Sequence, residues 1–129
     1  MLLYTIIVMS TICNIQNSKT AFLFSKNLLK KNHMIKNIFF YSDGVFNGNS
    51  LVNTNHDEIN LVHQWYKLST NFKIKLNVCS SSAQERGIIS REISQQFGIL
   101  NGNMHHGFNL SSLGQLMKAI LQSDRVLQF

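Results

Sequence analysis

The stretch Ile74-Lys75-Leu76-Asn77-Val78-Cys79-Ser80-Ser81-Ser82-Ala83 decides how this chain is read. Lys75 to Val78, preceded by Ile74, predicts a strand with Cys79 at its C-terminal edge. The serines that follow lead into a short helix over residues 81–86. A strand that feeds straight into a helix is the unit of a layered α/β fold, and the pattern repeats on both sides of this stretch.

Upstream, the apolar run over residues 3–9 reads as a buried first strand. A helix is expected over 18–31, with Ser18 as its N-cap and Lys30-Lys31 at the negative end of its dipole. Ile35 to Tyr41 reads as a second strand, broken by Ser42-Asp43-Gly44. Residues 45–56 read as a polar loop. Asp57-Glu58 open a further helix whose apolar stripe is Ile59, Val62, His63, Tyr66 and Trp65. Downstream, Ser90 caps a helix over 91–97 that ends at Gly98. A weak fourth strand falls in 103–109, Ser111-Ser112 begin a helix through Leu121, and residues 124–129 form the last strand. The expectation is one three-layer α/β/α domain over 1–129, with a mostly parallel sheet of about five strands and helices on both faces.

The whole-chain numbers agree. At 129 residues the chain suits one domain, and 44% hydrophobic against 14% charged residues excludes a disordered chain. Two cysteines, 13 and 79, exclude a disulfide scaffold and have no zinc spacing. The net charge is +6, of which residues 1–36 contribute five lysines and no acid. A basic face attracts RNA or acidic partners, but no aromatic–basic RNA motif accompanies it. The opening apolar run is too short to span a bilayer and has no basic flank, so a cytoplasmic protein with reduced thiols is expected.

In an open parallel sheet the working edge lies at the C-terminal ends of the strands, where Cys79 falls. Backbone N–H groups of a following helix favour a thiolate there, and Arg86 would add positive charge. The alternative is a buried, inert cysteine. Cys13 follows strand one at the same edge and would approach Cys79 if strands one and three were neighbours, as in a flavodoxin-like order. The adjacent His105 and His106 make a poor metal site, and nothing fixes His56 or His63 near Cys79 for Cys/His hydrolysis. No Gly-x-Gly-x-x-Gly or P-loop motif is present. The loop Ser10–Asn14 is polar and small enough to keep a flavin- or nucleotide-binding reading open.

Ile38-Phe-Phe-Tyr-Ser-Asp-Gly-Val-Phe-Asn-Gly-Asn49, Leu76-Asn-Val-Cys79 with Ser80 to Ala83 and Arg86-Gly87, Gly107 to Gly114, and Asp124 to Phe129 together resemble the DsrE-like sulfur-relay family. The likeness runs nearly end to end. It departs in the loop after strand one, where the family's Gly-Pro-x-Tyr-Gly turn is replaced by Ser10, Thr11, Cys13 and Asn14. The resemblance implies a sulfurtransferase subunit in 2-thiolation of the tRNA wobble uridine. Cys79 would be its persulfide-bearing catalytic residue, with no metal or organic cofactor. It implies a TusA-like sulfur donor, a TusE-like acceptor, and TusB-like and TusC-like subunits in a dimer of heterotrimers, without a membrane and without direct tRNA contact. Phe46 is the expected interface residue. A non-catalytic scaffold subunit is the alternative within the same complex.

Overall fold

The computed structural model describes residues 1–12, 15–53 and 59–129. Five strands alternate with helices: β1 (Leu3–Val8), α1 (Ile15–Lys30), β2 (Met34–Phe40), a 3-10 segment (Ser42–Gly48), α2 (Leu61–Phe72), β3 (Lys75–Cys79), α3 (Ser80–Glu85), α4 (Arg91–Gln96), β4 (Phe108–Ser111), α5 (Leu113–Leu121) and β5 (Arg125–Gln128). The sheet is parallel throughout, in the order β4-β3-β2-β1-β5.

In that order strands one and three are not neighbours, so the condition under which Cys13 would approach Cys79 is not met. β2 lies between β1 and β3, pairing Ile6 with Ile38 on one side and Ile38 with Leu76 on the other. Cys13 itself lies outside the described residues. The order also explains the layers. Successive right-handed crossovers from β1 to β4 step in one direction and keep their helices on one face, whereas the return from β4 to β5 carries α5 to the other.

Registered rows of side chains fill the two faces. On the first, Ile6, Ile38, Leu76 and Phe108 align, followed by Val8, Phe40, Val78 and Leu110. Trp65 of α2 seals this face, its ring 5.3 Å from both Phe40 and Phe22 in edge-to-face contact. On the second face, Thr5 hydrogen-bonds the Ala119 carbonyl and Ser123, docking α5. Strand parity puts Asn77 and Cys79 on this second face.

Several local expectations change. Ser18 is not a cap: α1 begins earlier, and Ser18 is buried inside it, donating to the carbonyl of Ser10. The stripe of α2 is Leu61, Val62, Trp65, Leu68 and Ser69. Ile59 precedes the helix and is exposed, and His63 faces solvent. Asn60 caps α2 through His63 N–H, while Asp57-Glu58 and His56 lie outside the described residues. Strand four starts at Phe108, so His105 to Gly107 precede it. Ser90 and Ser112 cap α4 and α5 as their positions suggested, and Ser112 closes a full capping box with Gln115. No helix among the described residues is long and apolar enough to cross a membrane.

Candidate active site

Cys79 ends β3 at the C-terminal edge of the sheet and occupies the N-cap position of α3. The residue is 1% exposed, where the sequence suggested an open sulfur at the rim. β3 runs into α3 without a loop, and Ser80 and Ser81, which follow the cysteine, are exposed.

Burial pushes the Cys79 thiol up, but four groups together outweigh it and leave the thiol below its ordinary value of 9.0. These are the hydroxyls of Ser81 and Ser82 and their backbone N–H groups. The Ser81 hydroxyl stands 3.3 Å from the sulfur. No regular side-chain cap bond closes at Cys79, so the N–H groups act here as nearby dipoles that favour the anion. The site therefore leans toward the thiolate, the nucleophilic form.

Arg86 does not supply the charge expected of it. Its Nε donates to Asp43 Oδ1 at 2.9 Å, its Nη2 to Ser42 Oγ at 3.2 Å, and its Nη1 to the Ser82 carbonyl at 3.3 Å and to Glu85. The guanidinium thus ties α3 to the 3-10 segment. Asp43 holds the charged form of Arg86 in place, and Arg86 is not among the groups acting on the sulfur.

The 3-10 segment is itself anchored from beneath by Asn47, which is fully buried although its sequence neighbourhood reads as polar loop. Asn47 Nδ2 donates to the carbonyls of Gly44 (2.9 Å) and Ser10 (3.2 Å), and its Oδ1 accepts from the Trp65 indole at 3.2 Å. The carbonyl of Ser10, in the loop that departs from the family turn, is thereby spent inside the protein. The roles of Asn47, Ser42 and Ser82 were missed at the sequence level. The one signal was that a buried tryptophan N–H needs an acceptor.

The histidines gather elsewhere. His105 and His106 stack with centroids 4.3 Å apart, and Tyr66 lies 4.8 Å from each. Burial, then His106 and His63, push His105 below its ordinary value. No cluster of three metal-ligating side chains occurs among the described residues. A groove of about 680 Å³ is lined by Arg91, His105, His106 and Phe108 among others and does not include Cys79. Phe46 is half-buried and packs against the core.

Residues 3–129 match the DsrE/DsrF-like family. Among curated proteins, the chain is 42% identical over 126 residues to the sulfurtransferase TusD of Buchnera aphidicola subsp. Acyrthosiphon pisum (strain 5A), covering 98% of each. It is 38% identical over 128 residues to a sulfurtransferase TusD homolog of Vibrio cholerae, covering 99% of this chain and 98% of that one. Among solved structures, the ychN protein from E. coli superposes with a TM-score of 0.78 at 18% identity, covering 100% of both chains. That last likeness concerns the fold.

Proposed function

We propose, because this chain belongs to the DsrE/DsrF-like family, that it is a sulfurtransferase of a TusD-type relay and that Cys79 carries the sulfur. The reading takes residues 1–129 as one working domain. The observation that carries it is the Cys79 thiol, held toward its anion at the C-terminal edge of the sheet by Ser81 and Ser82.

The chemistry needs no cofactor. The Cys79 thiolate attacks the outer sulfur of a persulfide on a TusA-like donor. An S–S bond forms to Cys79, the donor's own S–S bond breaks, and its cysteine leaves as a thiolate. The electron pair stays with that leaving sulfur, so there is no net oxidation. The same exchange in reverse roles hands the sulfur to a TusE-like acceptor, toward 2-thiolation of the tRNA wobble uridine. A thiol below its ordinary value serves both halves, since it attacks as an anion and leaves readily. The relay belongs to the cytoplasm, where thiols stay reduced. TusB-like and TusC-like chains complete the assembly as a dimer of heterotrimers. The exposed apolar side chains of Leu113, Met117 and Leu121, four residues apart along α5, support association with other chains.

Loading the protein from a persulfide donor should add one sulfur atom to the peptide that contains Cys79, and Cys79→Ser should abolish it. Sulfur found only on other peptides overturns the mechanism. The burial of Cys79 favours a second reading, a scaffold subunit with an inert cysteine. Undiminished transfer by a complex carrying Cys79→Ser would establish that reading instead.

A further inference from the structure

We propose that a lysine-lined groove on the second sheet face docks an acidic segment of the protein persulfide that loads Cys79. The inference rests on Cys79 as the sulfur carrier and adds the surface that holds its donor.

The crossover from β4 to β5 lays the nine-residue α5 on that face. Beside it a groove of about 350 Å³ runs over β2 and β3, lined by Lys36, Asn37, Lys75, Asn77, Ser111 and Lys118 among others. A sheet face built for an apolar partner would carry apolar side chains here, and these are amides, a hydroxyl and three cations. The groove climbs β3 toward its C-terminal edge. Lys75, Asn77 and Cys79 alternate onto one face, and Lys75 stands about 13 Å along the strand from Cys79. Ser111, at the upper end, is the register partner of Cys79 on β4.

The charge is uncompensated. No acidic side chain occurs among the described lining residues, and none of the three lysines is ion-paired among the described residues. Asp43 and Glu85 pair with Arg86, Asp124 accepts from the backbone N–H of Leu3, and Glu92 lines another groove. Lys36 is brought in by an irregularity of β2. Tyr4 pairs with Ile35 and Thr5 with Asn37, so Lys36 is an extra residue between them. Such a bulge re-aims a side chain. Lys36 and Asn37 accordingly line the same groove, although adjacent strand residues ordinarily face opposite ways.

Asn37 adds a feature independent of charge. It is 5% exposed, and its Oδ1 accepts from Asn77 Nδ2 at 2.7 Å. Its own Nδ2 has no partner among the described residues, yet none of their side-chain polar atoms is both fully buried and unpaired. The amide therefore opens on the groove that Asn37 lines, an N–H donor set among lysines. With both amides turned end for end, Asn77 offers its donor to the same groove. Cations beside a free N–H suit carboxylates. No aromatic side chain for stacking bases occurs among the described lining residues, which favours an acidic protein segment over RNA.

The test compares the full chain with a double variant, Lys75→Glu with Lys118→Glu, at exposed positions. Loading of Cys79 by a limiting persulfide-bearing donor protein should slow about tenfold or more, and the gap should narrow as salt rises. Loading by cysteine persulfide, from which cysteine leaves as its thiolate, should be unchanged. The same charge reversal at the end of α1, Lys30→Glu with Lys31→Glu, should leave loading by the donor protein within about twofold of wild type. A fluorescent glutamate-rich peptide should bind the wild type and lose about tenfold or more in affinity on the groove variant. Equal loading of groove variant and wild type, equal slowing by the α1 variant, or peptide binding indifferent to the groove lysines overturns the docking site. So does an oligouridine RNA that binds more tightly than the peptide and is lost with the same lysines. Failure of both persulfides to load Cys79 overturns the relay reading, and with it the donor as occupant. Normal loading by cysteine persulfide beside an unmoved protein donor overturns the groove alone.

Discussion

A buried sulfur that still favours its anion is a balance between two opposed effects at one residue. Removal from water destabilises a thiolate, while dipoles fixed around it replace the lost hydration. At Cys79 the dipoles of Ser81 and Ser82 prevail, which makes the thiolate a stabilising group of the folded state. The sign of the pH dependence follows. Between the folded-state value and the ordinary value of 9.0, the unfolded chain holds a proton that the folded chain has released, so stability rises with pH across that interval. The contribution is complete above 9.0 and is lost as pH falls through the folded value. Urea unfolding of the wild type and of Cys79→Ala should therefore diverge as pH climbs from neutral toward 9.0. A difference that stays flat across the interval means the sulfur titrates as an ordinary thiol.

Among the elements, the 3-10 segment Ser42–Gly48 decides the most for its length. It places Ser42 over α3, presents Asn47 to Trp65, and crosses the C-terminal end of β1 at Gly44. That crossing is very close: a Cβ on Gly44 would fall 1.9 Å from the Val8 carbonyl oxygen and 2.7 Å from its carbon. Backbone in a central strand cannot yield as a flexible side chain does, so the segment itself must lift. Gly44→Ala should cost about 1–3 kcal/mol or more in denaturant unfolding. Unchanged stability would show that the close approach is not needed. By contrast, α4 and α5 are local constructions, each started by a serine whose hydroxyl accepts from the third residue of the helix.

At the scale of the whole molecule, the two sheet faces are unequal. One is sealed by aromatic packing of Phe22, Phe40 and Trp65, and the other carries α5, whose outer side leaves Leu113, Met117 and Leu121 in solvent. An isolated chain of 14.8 kDa with such a surface is expected to bind other subunits. Co-expression with TusB-like and TusC-like chains should give one complex by light scattering, with this chain present in equal proportion to each. Recovery of this chain alone at 14.8 kDa from that mixture would refute the assembly.

The alternation of strands and helices, the serine caps of α4 and α5, and the position of Cys79 at a strand end were legible in the chain's local pattern. These depend on periodicity and on near neighbours, and residues 74–83 contain both the strand and the start of its helix. Long-range packing alone sets β2 between β1 and β3, makes Asn47 core, brings Arg86 onto Ser42 and Asp43, and buries Cys79. Each of these pairs groups far apart in the chain, such as Ser42 with Ser82 or Asn47 with Trp65. Local pattern carries no information about which distant partner will meet a given polar atom, because that is settled by how strand order and crossover handedness bring the loops together at one edge of the sheet.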